Sequence, residues 1–177
     1  MGGLKGGMDH GGAIYSIGYG NRDRDLLIAL LHHHGVQILV DVRSAPYSRH
    51  RPEYRKKPLQ RAVEEAGLRY WYRGAHLGGR PRDASIYVGG QVDPVRYRAR
   101  PAFRREIDRL GCAANLGARL CLLCAEEDPL RCHRFHLLGE ELRRKGLDVR
   151  HIDARGRVVT HGSLLGMRPV DQLSLFG

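Results

Sequence analysis

The chain has 177 residues, with 30 Lys and Arg against 19 Asp and Glu, for a formal net charge of +11. The length fits one domain of about 100–200 residues, and 42% hydrophobic with 28% charged residues argues against a disordered or collagen-like chain. No apolar run reaches the roughly 18–20 residues of a membrane span, and the start, with six glycines in residues 1–12, lacks the apolar centre of a signal peptide; a cytoplasmic protein with no membrane partner is expected.

Residues 1–12 have no periodicity and read as a disordered N-terminal tail. Residues 13–18 form a short apolar run that ends in Gly18-Tyr19-Gly20-Asn21, the pattern of a buried strand entering a turn. Leu26, Leu27, Leu30 and Leu31 recur at helical spacing over 23–34, with Asn21 or Asp23 as N-cap and Gly35 as the stop. The three histidines that close this helix, His32 to His34, cannot share one face, and they suit the helix dipole better than a metal. Residues 36–42 are β-branched and apolar, so strand, helix and strand make a βαβ unit with a right-handed crossover.

After a polar loop over 43–58, a helix is expected over 59–66 and a third strand over 68–72. The segment 74–98 is glycine- and proline-bearing and poorly periodic, which suits a lid or binding loop. A helix over 99–116, a strand over 119–124, a helix over 132–145 and a strand over 148–152 complete the series. This alternation predicts a single α/β domain over 13–155, with a mostly parallel sheet of about five strands and helices on both faces. Residues 156–177 read as a C-terminal tail.

From Arg43 to Arg109 there are 17 basic and 7 acidic residues, so nearly all the excess charge lies in one central stretch. A concentrated positive field suits a polyanion such as DNA, because neutralising phosphates releases counterions; plain solubility would be served by it too. Cys112, Cys121, Cys124 and Cys132 crowd together and read as reduced thiols, since a disulfide framework would spread them.

In an open α/β sheet, ligands bind beyond the carboxyl ends of the strands. The block from Cys124 through Glu126, Pro129, Cys132 and His133 to Arg134 runs from such an end into a helix start, which suits an anion beside Arg134 and a thiolate at Cys132. Cys124, Cys132, His133 and His136 are also metal-ligand types. Cys121 and Cys124 fall inside a strand, however, where their thiols diverge, so no metal site is assigned. Asp41 and Glu126 end strands that can be neighbours, and would share a pocket for acid/base work or hold a divalent cation. The alternative is an ion pair of Asp41 with Arg43 or Arg134 that only fixes the loop.

Taken in order, Tyr15-Ser-Ile-Gly18-Tyr-Gly, Asp41-Val-Arg43-x-x-Pro46-x-Ser48-Arg49, Leu77-Gly78-Gly79, the Cys124 to Arg134 block and His151-Ile152 resemble the family of domain of unknown function 488. The resemblance implies a small α/β fold and no established reaction. Near the end, Gln172-Leu173-Ser-Leu175-Phe176 resembles the pentapeptide by which bacterial repair proteins bind the replication sliding clamp. Such a peptide would bury Leu175 and Phe176 in an apolar groove while Gln172 hydrogen-bonds beside it; the alternative is a tail folded back on its own domain.

The expected function is an enzyme of DNA repair or maintenance that processes nucleic acid or a nucleotide by hydrolysing an N-glycosidic or phosphodiester bond. Asp41, Glu126, Cys132 and His133 are its expected catalytic residues. Arg43, Ser48, Arg49, Arg134, Tyr19, Gly78 and Gly79 would bind phosphate. N-glycosidic cleavage needs no metal, whereas phosphodiester hydrolysis favours a cation between Asp41 and Glu126. A non-catalytic DNA-binding adaptor recruited to the clamp and a thiol-dependent enzyme using Cys132 are the alternatives.

Overall fold

The computed structural model describes residues 13–167. Its centre is a sheet of six strands: β1 (Ile14–Gly18), β2 (Ile38–Asp41), β3 (Arg69–Tyr72), β6 (Leu120–Cys124), β7 (Val149–Ile152) and β8 (Val158–Thr160), with β4 (Tyr87–Val88) and β5 (Gln91–Val92) forming a separate hairpin. The spatial order is β3-β2-β6-β1-β7-β8. Every pairing in the sheet is parallel except β7 with β8. All five strands read from the sequence are present, in an α/β arrangement with helices on both faces.

The three central strands, β2, β6 and β1, are buried along their whole length, as expected of parallel strands covered on both sides. Successive side chains enter opposite layers. Ile14, Ile38, Val40, Leu120 and Leu122 pack on one face, and Tyr15, Ile17, Leu39, Cys121 and Leu123 on the other. The first face is covered by α5 (Pro101–Asn115), through Phe103, Ile107 and Leu110, and by the helical segment after Cys132, through Leu137, Leu138 and Leu142. The second is covered by α1 (Arg24–His33), through Leu27 and Leu31, and α2 (Lys56–Glu65), through Leu59 and Val63. Right-handed crossovers require this split, because β1 to β2 and β2 to β3 step one way across the sheet while β3 to β6 and β6 to β7 step the other.

Asp23 caps α1, its side chain accepting from the Asp25 N–H. Helix α2 begins at Lys56, three residues before the expected start at Leu59. Pro58 falls in its first turn, where a missing N–H costs nothing. The expected lid over 74–98 contains a four-residue helix, α3 (Gly74–Leu77), the β4–β5 hairpin and α4 (Pro94–Ala99). It is anchored to the body by Ile86 and Tyr97, which are buried in the first layer, and is closed on itself where the Tyr97 hydroxyl donates to Gly78 O at 2.7 Å.

The fold also continues past residue 155, where the sequence suggests a tail. There β8 pairs antiparallel with β7, and α7 (His161–Leu165) buries His161 and Leu164. A three-residue strand offers no period to read, so this edge was not legible. Gln172, Leu173, Leu175 and Phe176 lie outside the described residues. Among the described residues no helix is long and apolar enough to cross a membrane.

Candidate functional site

The carboxyl end of β2 holds a closed ion pair. Asp41 is fully buried, and Arg43 grips it in a fork, Nε to Oδ1 at 2.9 Å and Nη2 to Oδ2 at 2.6 Å. The Arg43 backbone N–H donates to the same Oδ1 at 3.1 Å, and the Tyr70 hydroxyl donates to Oδ2 at 2.5 Å. Arg43 Nη1 is spent on Tyr54 O at 2.7 Å. Tyr19 stacks on Tyr54, the ring centroids 4.0 Å apart, and the Arg43 guanidinium carbon lies 5.5 Å from the Tyr19 ring centroid. Burial would favour loss of the Arg43 proton, but the Asp41 carboxylate outweighs it and raises the guanidinium above its ordinary value. Burial and the same carboxylate also push the Tyr70 hydroxyl up.

Asp41, Arg43 and Tyr19 are brought together as a buried cluster at the end of β2. Both oxygens of Asp41 accept from donors within the protein, and Arg43 and Tyr19 are buried. Glu126 is exposed on the loop beyond β6, where its carboxylate accepts the Asp128 N–H. Strands β2 and β6 are neighbours, but Asp41 shares the parity of Leu39 and turns toward the α2 layer. Asp41 is buried in that layer while Glu126 stands in solvent, so the two carboxylates are not brought together.

What converges is sulfur and imidazole. Strand β6 delivers Cys124 to the sheet edge, and Asp128, capping a short turn over Pro129–Arg131, swings the chain back so that the Cys132 N–H reaches Pro129 O at 3.0 Å. His133 Nδ1 then lies 3.9 Å from Cys124 Sγ and 3.7 Å from Cys132 Sγ, with the three potential ligand atoms all within 4.8 Å of one another. Val42 O, which can only accept, lies 3.2 Å from His133 Nε2, so that nitrogen carries the proton and the Nδ1 lone pair faces the sulfurs. Hydrogen bonding from Cys132 holds the Cys124 thiol far below its ordinary value, against the effect of burial. The proton retained on Cys132 becomes correspondingly harder to remove. Cys121 enters the opposite layer, as its strand position implied, and burial pushes its thiol up.

Two close approaches make this geometry possible. A Cβ on Gly18 would sit 1.8 Å from Glu126 O, so only glycine lets the β6 loop cross the end of β1. A Cβ on Gly79 would lie 2.7 Å from His133 Nδ1; the neighbouring Gly78 packs against Ser44. Gly78 and Gly79 thus shape the imidazole side of the site. Arg134 ties the loop down from within: fully buried, it donates through Nη2 to Glu126 O and Glu127 O, both at 2.7 Å, and through Nη1 to Ser16 Oγ at 3.1 Å. It clamps the loop to the sheet. Residues 134–139 form a π-helical turn, a widening common at functional sites. Ser48 is a turn residue whose hydroxyl accepts the Arg51 N–H, and Arg49 is exposed.

Beyond Arg134 lies a buried polar chain that the sequence reading missed. Ser16 Oγ donates to His151 Nδ1 at 2.6 Å, His151 Nε2 to His161 Nδ1 at 3.0 Å, and His161 Nε2 to Glu140 Oε1 at 3.2 Å. The carboxylate at one end and the guanidinium at the other fix the direction of every bond. The available signal was a serine in the middle of an apolar strand. Burial, aided by the Arg134 charge, depresses His151 from its ordinary 6.5 to about 3. The unfolded chain takes up this proton below pH 6.5 and the folded chain does not, so the contribution is complete above that pH and is lost as pH falls. Stability is expected to drop by up to about 1.4 kcal/mol per pH unit between pH 6.5 and 5, above the range where carboxylates titrate. Urea unfolding across that range checks this, and the slope is expected to flatten in His151→Asn.

The family model described as "Domain of unknown function DUF488" matches residues 24–139, about two thirds of the chain. The chain belongs to that family. The DUF488 match takes in Asp41, Arg43, the glycines at 78 and 79, and the whole sulfur–imidazole cluster, and it stops before His151. No curated protein and no solved structure is similar enough to this chain to match it.

Proposed function

We propose that this DUF488 protein is a hydrolase acting on an anionic substrate, a nucleotide or nucleic acid, whose reacting centre is the Cys124, Cys132 and His133 cluster. The observation that carries this reading is the convergence of two sulfurs and an oriented imidazole at the end of a central strand, where α/β sheets place their ligands. Arg131 precedes Cys132 in the chain and Arg80 follows Gly79; both are exposed, and neither makes a salt bridge among the described residues. They suit an anion approaching the cluster, as does the basic stretch from Arg43 to Arg109. Glu126, exposed two residues beyond Cys124, is a carboxylate placed to accept a proton. A reducing cytoplasm suits the free thiols, and a role in DNA repair or maintenance suits the tail.

The test is turnover of single- and double-stranded DNA and of free nucleotides carrying normal and damaged bases, followed by mass spectrometry at moderate salt. Wild type is expected to release product, Glu126→Gln to be slower by about 100-fold, and Cys132→Ser to be inactive. Arg80→Ala and Arg131→Ala are expected to raise KM more than they lower kcat. Full activity in Cys132→Ser sinks the reading, and salt-sensitive DNA binding without any product replaces it with the adaptor. Recruitment through Gln172, Leu173, Leu175 and Phe176 rests on the sequence; deletion of residues 172–177 is expected to abolish capture by a bacterial sliding clamp.

A further inference from the structure

We infer that Cys124, Cys132 and His133 are the three protein ligands of a zinc ion whose fourth position is open. The inference rests on the proposed function only for its consequence, that the reacting centre is a metal centre; the binding stands on geometry alone. With Zn–S near 2.3 Å and Zn–N near 2.0–2.1 Å, a tetrahedral site needs about 3.5–3.6 Å between sulfur and nitrogen and about 3.8 Å between the sulfurs. The observed sulfur to Nδ1 distances of 3.7 and 3.9 Å come within a few tenths of an ångström of that requirement, and with all three atoms inside 4.8 Å of one another the two sulfurs need to close by no more than about 1 Å. Two sulfurs and one imidazole nitrogen form a donor set that favours zinc over magnesium or calcium, which take oxygen. This ion differs in place and in chemical class from the cation that phosphodiester hydrolysis would favour between Asp41 and Glu126.

The surroundings fit the same assignment. A metal-bound histidine commonly donates its other ring N–H to a carbonyl or carboxylate, which fixes both tautomer and ring plane. His133 does so to Val42 O, leaving the nitrogen on the sulfur side unprotonated. The loop that separates the two cysteines is held closed by Arg134 through Glu126 O and Glu127 O, so the ligands are assembled before any ion arrives. Among the described residues no fourth His, Cys, Asp or Glu joins the cluster. Structural zinc sites are closed by four protein ligands, whereas three ligands leave room for water or substrate. His133 is half-buried, so the cluster is reached from solvent on its imidazole side.

The full chain, purified without chelator and loaded with zinc chloride, is expected to retain one zinc per chain through gel filtration. With cobalt(II) in its place, sulfur-to-cobalt charge-transfer absorption and intense tetrahedral d–d bands are expected. N-ethylmaleimide is expected to label Cys112 at once and Cys124 and Cys132 only after a chelator is added. Zinc retention is expected to be lost in Cys124→Ser and Cys132→Ser and kept in Cys112→Ser. A wild-type chain that holds no zinc, or a cobalt spectrum without the sulfur band, overturns the inference, whatever the variants do. A zinc-free chain that still loses turnover in Cys132→Ser overturns the metal and leaves the proposed function standing; retained zinc with no turnover of any substrate does the reverse.

Discussion

Asp41→Asn is expected to lower the melting temperature by about 10 °C while leaving the folded chain's sulfur–imidazole site intact. The substitution keeps the shape of the side chain and removes its charge. The Arg43 guanidinium then remains buried without a counter-charge, and one of its donors faces an amide NH2 where it had faced a carboxylate oxygen. Breaking a buried pair in this way costs about 3–5 kcal/mol. In a domain of this size each kcal/mol moves the midpoint by about 2–4 °C. Thermal denaturation followed by circular dichroism measures it. A general base would behave in the opposite way, with the midpoint unchanged and turnover lost, so one pair of measurements separates the buried ion pair from the acid/base role that the strand-end position suggests.

The second large effect is expected at Arg134. Replacing it with Met leaves Ser16 Oγ without its donor and frees Glu126 O and Glu127 O from the fork that holds the β6 loop. A loss of about 3 kcal/mol is expected, at the low end for removing one member of a buried charged network. The consequence for the site is greater than the number suggests. Cys132 lies two residues before the clamp, and its sulfur meets Cys124 and His133 only while the loop stays folded over the sheet edge. Amide hydrogen exchange at Cys132 is expected to accelerate in Arg134→Met, and zinc retention to fall with it. Arg134→Lys is expected to rescue neither, because a single ammonium cannot span acceptors on three residues as the planar guanidinium does. Full rescue by lysine would mean that charge, not the fork, holds the loop.

Both predictions concern residues whose chemical type was visible in the sequence and whose job was not. Asp41 and Arg43 are two positions apart at the end of a strand, a spacing equally suited to an ion pair and to a site with one base and one anion-binding group. Tyr70 decides between them, since its hydroxyl adds a second donor to Asp41 Oδ2 from the edge strand, 29 positions away in the chain. Arg134 sits beside Cys132 and His133 in a block that reads as an anion site. Its burial, and its engagement with Ser16 on β1, depend on β6 lying between β1 and β2, an order that no local pattern carries. The same holds for His151 and His161, joined to Ser16 and Glu140 only through the pairing of β7 with β1 and the turn into α7.

The class of the fold and the covering of its sheet on both faces were legible in the sequence. Short, nearly continuous apolar runs in residues 13–18, 36–42 and 119–124 mark strands buried on both sides, and leucines at helical spacing between them mark the covering helices. The sequence also narrowed the chemistry to the ends of those strands. Only the tertiary structure decided which of the strand-end groups meet. Asp41 turns toward one layer and is neutralised there, while Cys124 meets Cys132 and His133 beyond the end of β6. Convergence depends on side-chain parity, on strand order and on a loop closed by a buried guanidinium; these are relations between distant parts of the chain, and neither composition nor local spacing encodes them.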